Sequence, residues 1–303
     1  MELLVNPASY ANALELIQLG VHQIFLGDNQ FCTRNNCHVT LAEISEILNL
    51  KKNTKVLILI NRFFFEPDLP ALDEYLNKLS QMKIDGIIFS DFAVNQICYE
   101  RKIKHKLIYN PETLVTNYEQ LPFYWDNNIQ EVCLARELTH REIKDIGIHK
   151  NQMMIQIQVA GYAYMMHSRW KLISNFQQTQ NIKENLSQTK LYLREISRQE
   201  PSIIFENDDG THILTNYSLN LLDVLPDLYT YGVDTVRVDS FLHNANWIMA
   251  TTKVYLEAIQ HINNRSYVQT LVKKLPNDKY SHGFYHMNKA DLVYLNQTEN
   301  VYE

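Results

Sequence analysis

Short apolar runs alternate with stretches of helical spacing along most of the 303-residue chain. The runs are ELLVN, QIFLG, KVLILIN, GIIFSD, KLIYN, EVCLARE, MMIQIQV and TVRVDS. Between them ANALELIQLG, TLAEISEILNLKK, LPALDEYLNKLSQM, AVNQICYERK and THREIKDI carry apolar residues three and four apart, the amphipathic-helix signal. Strands separated by helices pair in parallel through right-handed crossovers. The pattern predicts an α/β fold, a (β/α)8 TIM-type barrel, with a doubly wound open sheet as the alternative.

The strand ends favour the barrel. The runs terminate in Asn6, Gly27-Asp28, Asn61-Arg62, Ser90-Asp91, Asn110 with Glu112-Thr113, Arg136-Glu137, Gly161 and Asp239. In a barrel all these ends meet on one face, where active sites lie. Helix capping accounts for Asn6, Ser90 and Asp91 as well as a site does. A ring holding Asp28, Asn61, Arg62, Glu112, Arg136, Glu137 and Asp239 points instead to a polar pocket at the barrel mouth.

The seventh and eighth runs are much further apart than the others. The extra segment holds a polar helical stretch over 181–199 and SIIFENDDGTHILT, a hairpin pattern with Asp-Asp-Gly at its turn. The expected organisation is a barrel from 1–160 and 217–263, a lid over the mouth from 161–216, and a C-terminal extension from 264–303 packing on the barrel.

Composition narrows the function classes. A formal net charge of −6 argues against a wholly basic nucleic-acid-binding surface, though not against a local patch. The densest basic stretch, RKIKHK at 101–106, precedes the fifth run and therefore belongs on the face away from the pocket. RNA at the mouth would meet Arg34, Arg62, Arg169 and Lys171, with Trp170, Tyr162 and Tyr164 available to stack; packing of lid on barrel is the expected role of those aromatics. The opening ELLVNP reads as a strand rather than a leader, and the longest aliphatic run is VLILI, so a cytoplasmic protein without a membrane partner is expected. Cys32, Cys37, Cys98 and Cys133 fit a reducing compartment. Cys32, Cys37 and His38 have a loosely metal-like spacing but lack the second pair such a site needs, and no metal ligand is assigned. His-Glu-x-x-His, Gly-x-Ser-x-Gly, phosphate-loop and Gly-x-Gly-x-x-Gly motifs are absent.

The segments ELLVNPAS, FLGDNQF, NRFFFE, FSDFAV, YNPETLVTN, CLARELT, VAGYAYMMHSRWKLISN, FENDDGTHILT, GVDTVRVDS and HGFYH, in this order, resemble the collagenase-like peptidase family U32. The resemblance is to its short branch, similar to tRNA wobble-uridine hydroxylation factors. It implies a barrel-like core and a part in prephenate-dependent 5-hydroxylation of the wobble uridine of tRNA. Many family members hold a [4Fe–4S] cluster on four cysteines, two of them within the family signature. Aligned at Gly161 and Ser174, those two positions are Tyr164 and Lys171 here; the signature glutamate is Gln156 and its second glycine Arg169. No cysteine follows Cys133, and neither Tyr nor Lys replaces a thiolate on iron, so no cluster is expected on this chain.

Three functions compete. The first is a subunit or accessory factor of tRNA hydroxylation that binds tRNA, a small carboxylated metabolite such as prephenate, or both. Arg62, Arg136 and Arg169 would then meet carboxylate or phosphate, and Asn6, Asn61, Asn110, Thr113, Gly161 and Ser168 complete the candidate binding set. Asp28, Glu112, Glu137 and Asp239 are the candidate acid–base groups. The second is a peptidase in which Glu112, Glu137, Asp28 and His167 hold a metal. The third is a non-catalytic partner of a cluster-bearing paralogue, in a heteromeric assembly.

Overall fold

A computed structural model describes residues 1–183, 191–194 and 201–288. Eight parallel strands close into a TIM-type barrel: β1 (Glu2–Val5), β2 (Gln23–Gly27), β3 (Lys55–Ile60), β4 (Gly86–Phe89), β5 (Lys106–Tyr109), β6 (Glu131–Cys133), β7 (Met154–Ser168) and β11 (Thr235–Val238). Each pairs with its sequence neighbour, and β11 closes the ring by pairing with both β7 and β1. All eight apolar runs are therefore barrel strands, and the open-sheet alternative is excluded.

Period-two alternation sorts each strand into two faces. Leu3, Ile24, Val56, Ile58, Ile87, Val132, Ile155, Val159 and Val236 join the large outer core beneath the helices. Leu4, Phe25, Leu57, Leu59, Ile88 and Ile108 form a separate cluster inside the barrel. The interior is divided: β1 to β5 fill it with apolar side chains, whereas β6, β7 and β11 contribute buried Glu131, Gln156 and Arg237.

The helices are α1 (Tyr10–Leu19), α2 (Leu41–Leu50), α3 (Leu69–Ser80), α4 (Phe92–Glu100), α5 (Leu121–Asp126) and α6 (His140–His149). Side-chain caps start several of them: Thr40 and Thr139 form capping boxes with Glu43 and Glu142, and Asp91 accepts from Ala93 N. Asp91 is thus a cap, the ordinary role open to it from sequence.

The seventh strand departs from the expected pattern. It does not stop before Gly161 but runs on to Ser168, leaving the barrel as one arm of a ribbon. The other arm is β10 (Gly210–Asn220), antiparallel to it, followed outward by β9 (Ser202–Asn207) and β8 (Leu191–Leu193). The first part of the expected insertion is thus a continuation of a barrel strand. Gly161 has φ +95, and a Cβ there would lie 1.6 Å from the carbonyl oxygen of Asp239, the residue after β11. Only glycine lets β7 bend outward at that crossing. The predicted hairpin at Asp208-Asp209-Gly210 is β9 and β10. Of the polar helix expected over 181–199, Leu191–Leu193 is a strand, while 184–190 and 195–200 lie outside the described residues. A helix does form just before, α7 (Leu172–Gln180), with Ile173 its buried residue.

The chain returns through α8 (Leu225–Thr230), β11 and α9 (Ala245–Gln260). The C-terminal segment continues through α10 (Arg265–Leu271) and β12 (Tyr280–Ser281), which pairs with β10; 289–303 lie outside the described residues. Tyr285 O accepts from His140 N at 2.9 Å, joining this segment to the start of α6. Among the described residues no helix is long and apolar enough to cross a membrane.

Gly161→Ala combines a left-handed backbone with a backbone collision. It should lower the unfolding free energy by well over 1 kcal/mol, the scale for alanine where φ is positive without any clash. Urea denaturation checks this; an unchanged midpoint would show that the crossing relaxes freely.

Candidate functional site

The C-terminal strand ends and the ribbon enclose a small pocket. The loop after β2 brings Arg34, the loop after β5 brings Glu112, and the loop after β6 brings Arg136. Arg237 enters from β11 and Asp239 from just beyond it, Gln158, Tyr162 and Tyr164 from β7, and Asn110 and Cys133 from the ends of β5 and β6. The free volume is ≈ 30 Å³, on the scale of about two waters.

Buried polar side chains hold the arginine-bearing loop in place. Asn6 Nδ2 donates to Asn35 Oδ1 at 2.6 Å, Asn61 Oδ1 accepts from Thr33 N at 2.8 Å, and Asn36 Nδ2 donates to Ser240 O at 2.6 Å. Asn6 and Asn61, candidate binding residues from sequence, therefore fasten the loop that carries Arg34 and do not line the pocket. Arg34 (φ 51) and Glu112 (φ 67) are both non-glycine residues in left-handed backbone. Unlike Lys52, Lys102, Asn128 and Asn151, which share that conformation just beyond helices, they stand in mouth loops, where such strain accompanies function.

Charge organises the pocket. Glu112 Oε1 lies 3.1 Å from Arg34 Nη2, its Oε2 lies 3.6 Å from Arg136 Nη2, and Arg237 Nη2 pairs with Asp239 Oδ2 at 2.6 Å. Arg136 also donates to the Glu112 carbonyl oxygen from Nε and Nη2. Burial pushes the Glu112 carboxyl up, but Arg34, Arg136 and Arg237 outweigh it and hold it below the usual range. Burial lowers Arg136, whereas at Arg237 burial is outweighed by Asp239 and the guanidinium is held above its ordinary value. His212 is driven down to about 3 by burial and by Arg34, so the ring is neutral. It accepts from Arg34 Nη1 at 3.4 Å and donates to Asn207 Oδ1 at 2.9 Å. Three guanidiniums thus face two carboxylates. Arg34 Nε, Arg237 Nε and Glu112 Oε2 are buried without a hydrogen-bond partner among the described residues. A buried positive excess with unused donors suits a small anion that accepts from several guanidinium N–H groups.

The other sequence candidates fall into two groups. Arg62 and Arg169 lie with Phe63, Phe65 and His167 along an adjoining cleft, which also touches Arg34. Asp28 makes a turn, accepting from Gln30 N at 2.8 Å, and Glu137 is exposed. Neither lines the pocket, and nor do Thr113 or Gly161. Ser168 accepts from Trp170 N near the ribbon tip. Asp28, Glu112, Glu137 and His167 do not converge, and among the described residues no three His, Cys, Asp or Glu side chains form a metal-binding group. Ser218, His243 and Asp278 do come together, with 3.1 Å between Ser218 Oγ and His243 Nε2. That hydroxyl donates to Asp278 Oδ2 at 2.6 Å and the serine is fully buried, so the trio fastens β10 to the C-terminal segment.

Arg237 and Gln158 escaped the sequence reading, although their alternation with valine and isoleucine in TVRV and MMIQIQV turns them inward. Two of the three aromatics pack the ribbon on the barrel, as expected, and Trp170 does not. Tyr164 lies under two guanidiniums, 4.0 Å from Arg34 and 5.2 Å from Arg136. Tyr162 stacks on His243, and Trp170 packs on nothing that buries it, being 71% exposed. A [4Fe–4S] cluster needs four thiolates, and this pocket supplies Cys133 alone, a thiol that burial pushes up to about 12. Cys32, Cys37 and Cys98 are buried elsewhere, and Lys171 pairs with Asp208. The residues present do not fit such a cluster.

Comparison with known proteins places this geometry in a family context. The chain matches the profile of peptidase family U32 over residues 8–293. It is 30% identical over 264 residues to tRNA hydroxylation protein P2 of Bacillus subtilis (strain 168), covering 85% of each chain. tRNA hydroxylation protein P1 of the same strain is 20% identical over 84% of this chain, which spans 62% of that protein's length. An uncharacterised protease of Methanocaldococcus jannaschii is 25% identical over 93% of this chain and 72% of its own length. Among solved structures, a U32 peptidase aligns with 78% of this chain and 90% of its own, with a TM-score of 0.49 and 12% identity.

The lowered Glu112 pKa fixes the sign of a pH effect. Its contribution to stability is present above the unfolded value of about 4.3 and is lost as pH falls through the lowered folded value. Glu112→Gln should cost about 3 kcal/mol at pH 7, the scale for removing one partner of a buried ion pair. The deficit should persist to about pH 5 and shrink in stronger acid. Urea midpoints of both proteins from pH 7 to pH 3 test this; a deficit that grows in acid contradicts the network.

Proposed function

For this chain, which belongs to peptidase family U32, we propose a role in tRNA hydroxylation, as a subunit or accessory factor of 5-hydroxylation of the wobble uridine. The observation that carries the reading is the 30% identity, over 85% of both chains, to a tRNA hydroxylation protein.

On this reading the mouth pocket takes the carboxylate of a small metabolite, such as prephenate, on Arg34, Arg136 and Arg237. The donors Arg34 Nε and Arg237 Nε are already desolvated and without a hydrogen-bond partner among the described residues, so an incoming carboxylate gains hydrogen bonds without a further desolvation cost to them. Asn110 lines the same space, Gln158 Nε2 donates to the Tyr162 carbonyl oxygen at 2.9 Å, and Asp239 holds Arg237 in position. Glu112 and Asp239 are the carboxylates at hand for a hydroxyl of the ligand. The pocket is narrow, so the ribbon or the loop bearing Glu112 moves when the metabolite enters.

The chain holds no [4Fe–4S] cluster of its own on this reading, and a cluster-bearing paralogue supplies the redox chemistry. Tyr164 supports this, because it stands where the family resemblance places a cluster cysteine and its ring lies against Arg34 and Arg136. Anaerobically purified protein should be colourless and free of stoichiometric iron; thiolate-to-iron absorption would refute this part.

The main test is nucleoside mass spectrometry of tRNA from wild-type and deletion cells lacking any oxygen-dependent route to the same nucleoside. Deletion should abolish 5-hydroxyuridine derivatives. The wild-type gene should restore them, and Arg237→Met should restore less than a tenth. Unchanged nucleosides after deletion would sink the proposal.

A further inference from the structure

We propose that the cleft between the loop after β3 and the ribbon tip holds a nucleotide of single-stranded RNA, its base on Phe63 or Phe65 and its phosphate on Arg169. The assignment rests on the tRNA reading above and adds the place where the RNA is held. The cleft has a free volume of ≈ 180 Å³, against ≈ 30 Å³ in the arginine pocket, and it opens on the same face.

Phe63 and Phe65 are 52% and 42% exposed, although apolar rings at a loop tip lose free energy by facing water. Each is matched with a planar partner. The His167 ring lies 5.4 Å from Phe63, and the Arg169 guanidinium lies 3.6 Å above the centre of Phe65. Aromatic faces beside guanidinium planes are what unstacked bases use in single-stranded RNA recognition. A double helix keeps its bases stacked internally and cannot use them.

The charges sort in the same direction. Asp209 is engaged by Arg62 at 2.6 Å, Asp68 Oδ2 accepts from Phe65 N at 2.9 Å, and Asp208 pairs with Lys171 at 3.2 Å. Arg169 has no ion-pair partner among the described residues, which leaves its charge for a phosphate. Arg34 lines both the cleft and the inner pocket. Arg34 therefore stands between a base in the outer cleft and a carboxylated metabolite in the inner pocket. An acidic peptide would use the arginine but leave both phenylalanine faces in water.

The full chain can be titrated with a fluorescently labelled oligouridylate and with an RNA duplex of equal length, read by anisotropy. The single strand should bind more tightly. The double variant Phe63→Ala, Phe65→Ala should weaken it by about 5- to 100-fold, the range for loss of one base–aromatic stack. Arg169→Ala should reduce the salt slope by about 0.7, one phosphate contact, and Lys104→Ala on the opposite face should change nothing. Both phenylalanines are exposed, so the variants fold. Equal affinity for duplex and single strand, wild-type affinity in the phenylalanine variant, or a wild-type chain that binds no RNA each overturns the assignment. Normal RNA binding by that variant alongside lost hydroxylation in the deletion strain removes the cleft and leaves the hydroxylation reading standing; the reverse result sustains the cleft and removes that reading.

Discussion

The fold depends on one backbone crossing. At Gly161 the seventh strand passes the Asp239 carbonyl so closely that no side chain fits. Its positive φ turns the strand from the barrel wall into the ribbon. Had β7 ended at Val159, Tyr162 and Tyr164 would belong to a loop with its own freedom. Instead they are carried on a strand that is hydrogen-bonded to β6 and β11 at one end and to β10 at the other. The pocket roof is thereby a paired strand continuous with the barrel wall. A register irregularity between Leu214 and Ser218 on β10 lets the partner arm follow the bend.

The second organising constraint is electrostatic. One side of the barrel interior is filled by apolar side chains, and the other gathers Glu131, Gln156, Gln158 and Arg237. The two halves meet where the Arg237 guanidinium lies 4.5 Å over the Phe25 ring. Burying arginines is expensive unless carboxylates and hydrogen bonds compensate, and here compensation stops short. Glu112 and Asp239 serve three guanidiniums, and two Nε donors have no acceptor among the described residues. Stability alone would favour satisfied or apolar side chains at such positions. The left-handed backbone at Arg34 and Glu112 adds strain at the same spot. Incomplete pairing and strain together are the grounds on which the proposed ligand site rests.

Much of the architecture was legible in the sequence because it follows from local periodicity. Eight apolar runs with helical spacing between them leave few topologies, and the polar residues closing those runs mark the mouth. The ring of strand-end residues was too generous, however. Asn6, Asn61 and Asp28 share the position and polarity of ligand-binding groups, yet they spend their hydrogen bonds on the loop that presents Arg34. Glu137 follows Arg136 directly but faces solvent, since neighbouring residues beyond a strand need not share a direction. Arg237 was hidden for the opposite reason: it lies inside an apolar run, and only its period-two phase discloses that it points inward.

What the sequence by itself determined is the set of elements, their order and the face on which polar groups collect, because strand and helix periods are properties of neighbouring residues. That Tyr164 and Lys171 stand where the family resemblance places cysteines was equally plain as a list of residues. Only the tertiary structure decided what those substitutions mean. It set Tyr164 beneath Arg34 and Arg136, residues 130 and 28 positions earlier in the chain, and sent Lys171 out to Asp208. It also divided the mouth into a tight arginine pocket and an open aromatic cleft that share Arg34. These outcomes rest on distances between residues remote in sequence, fixed by barrel closure and by the bend at Gly161, and no local pattern encodes them.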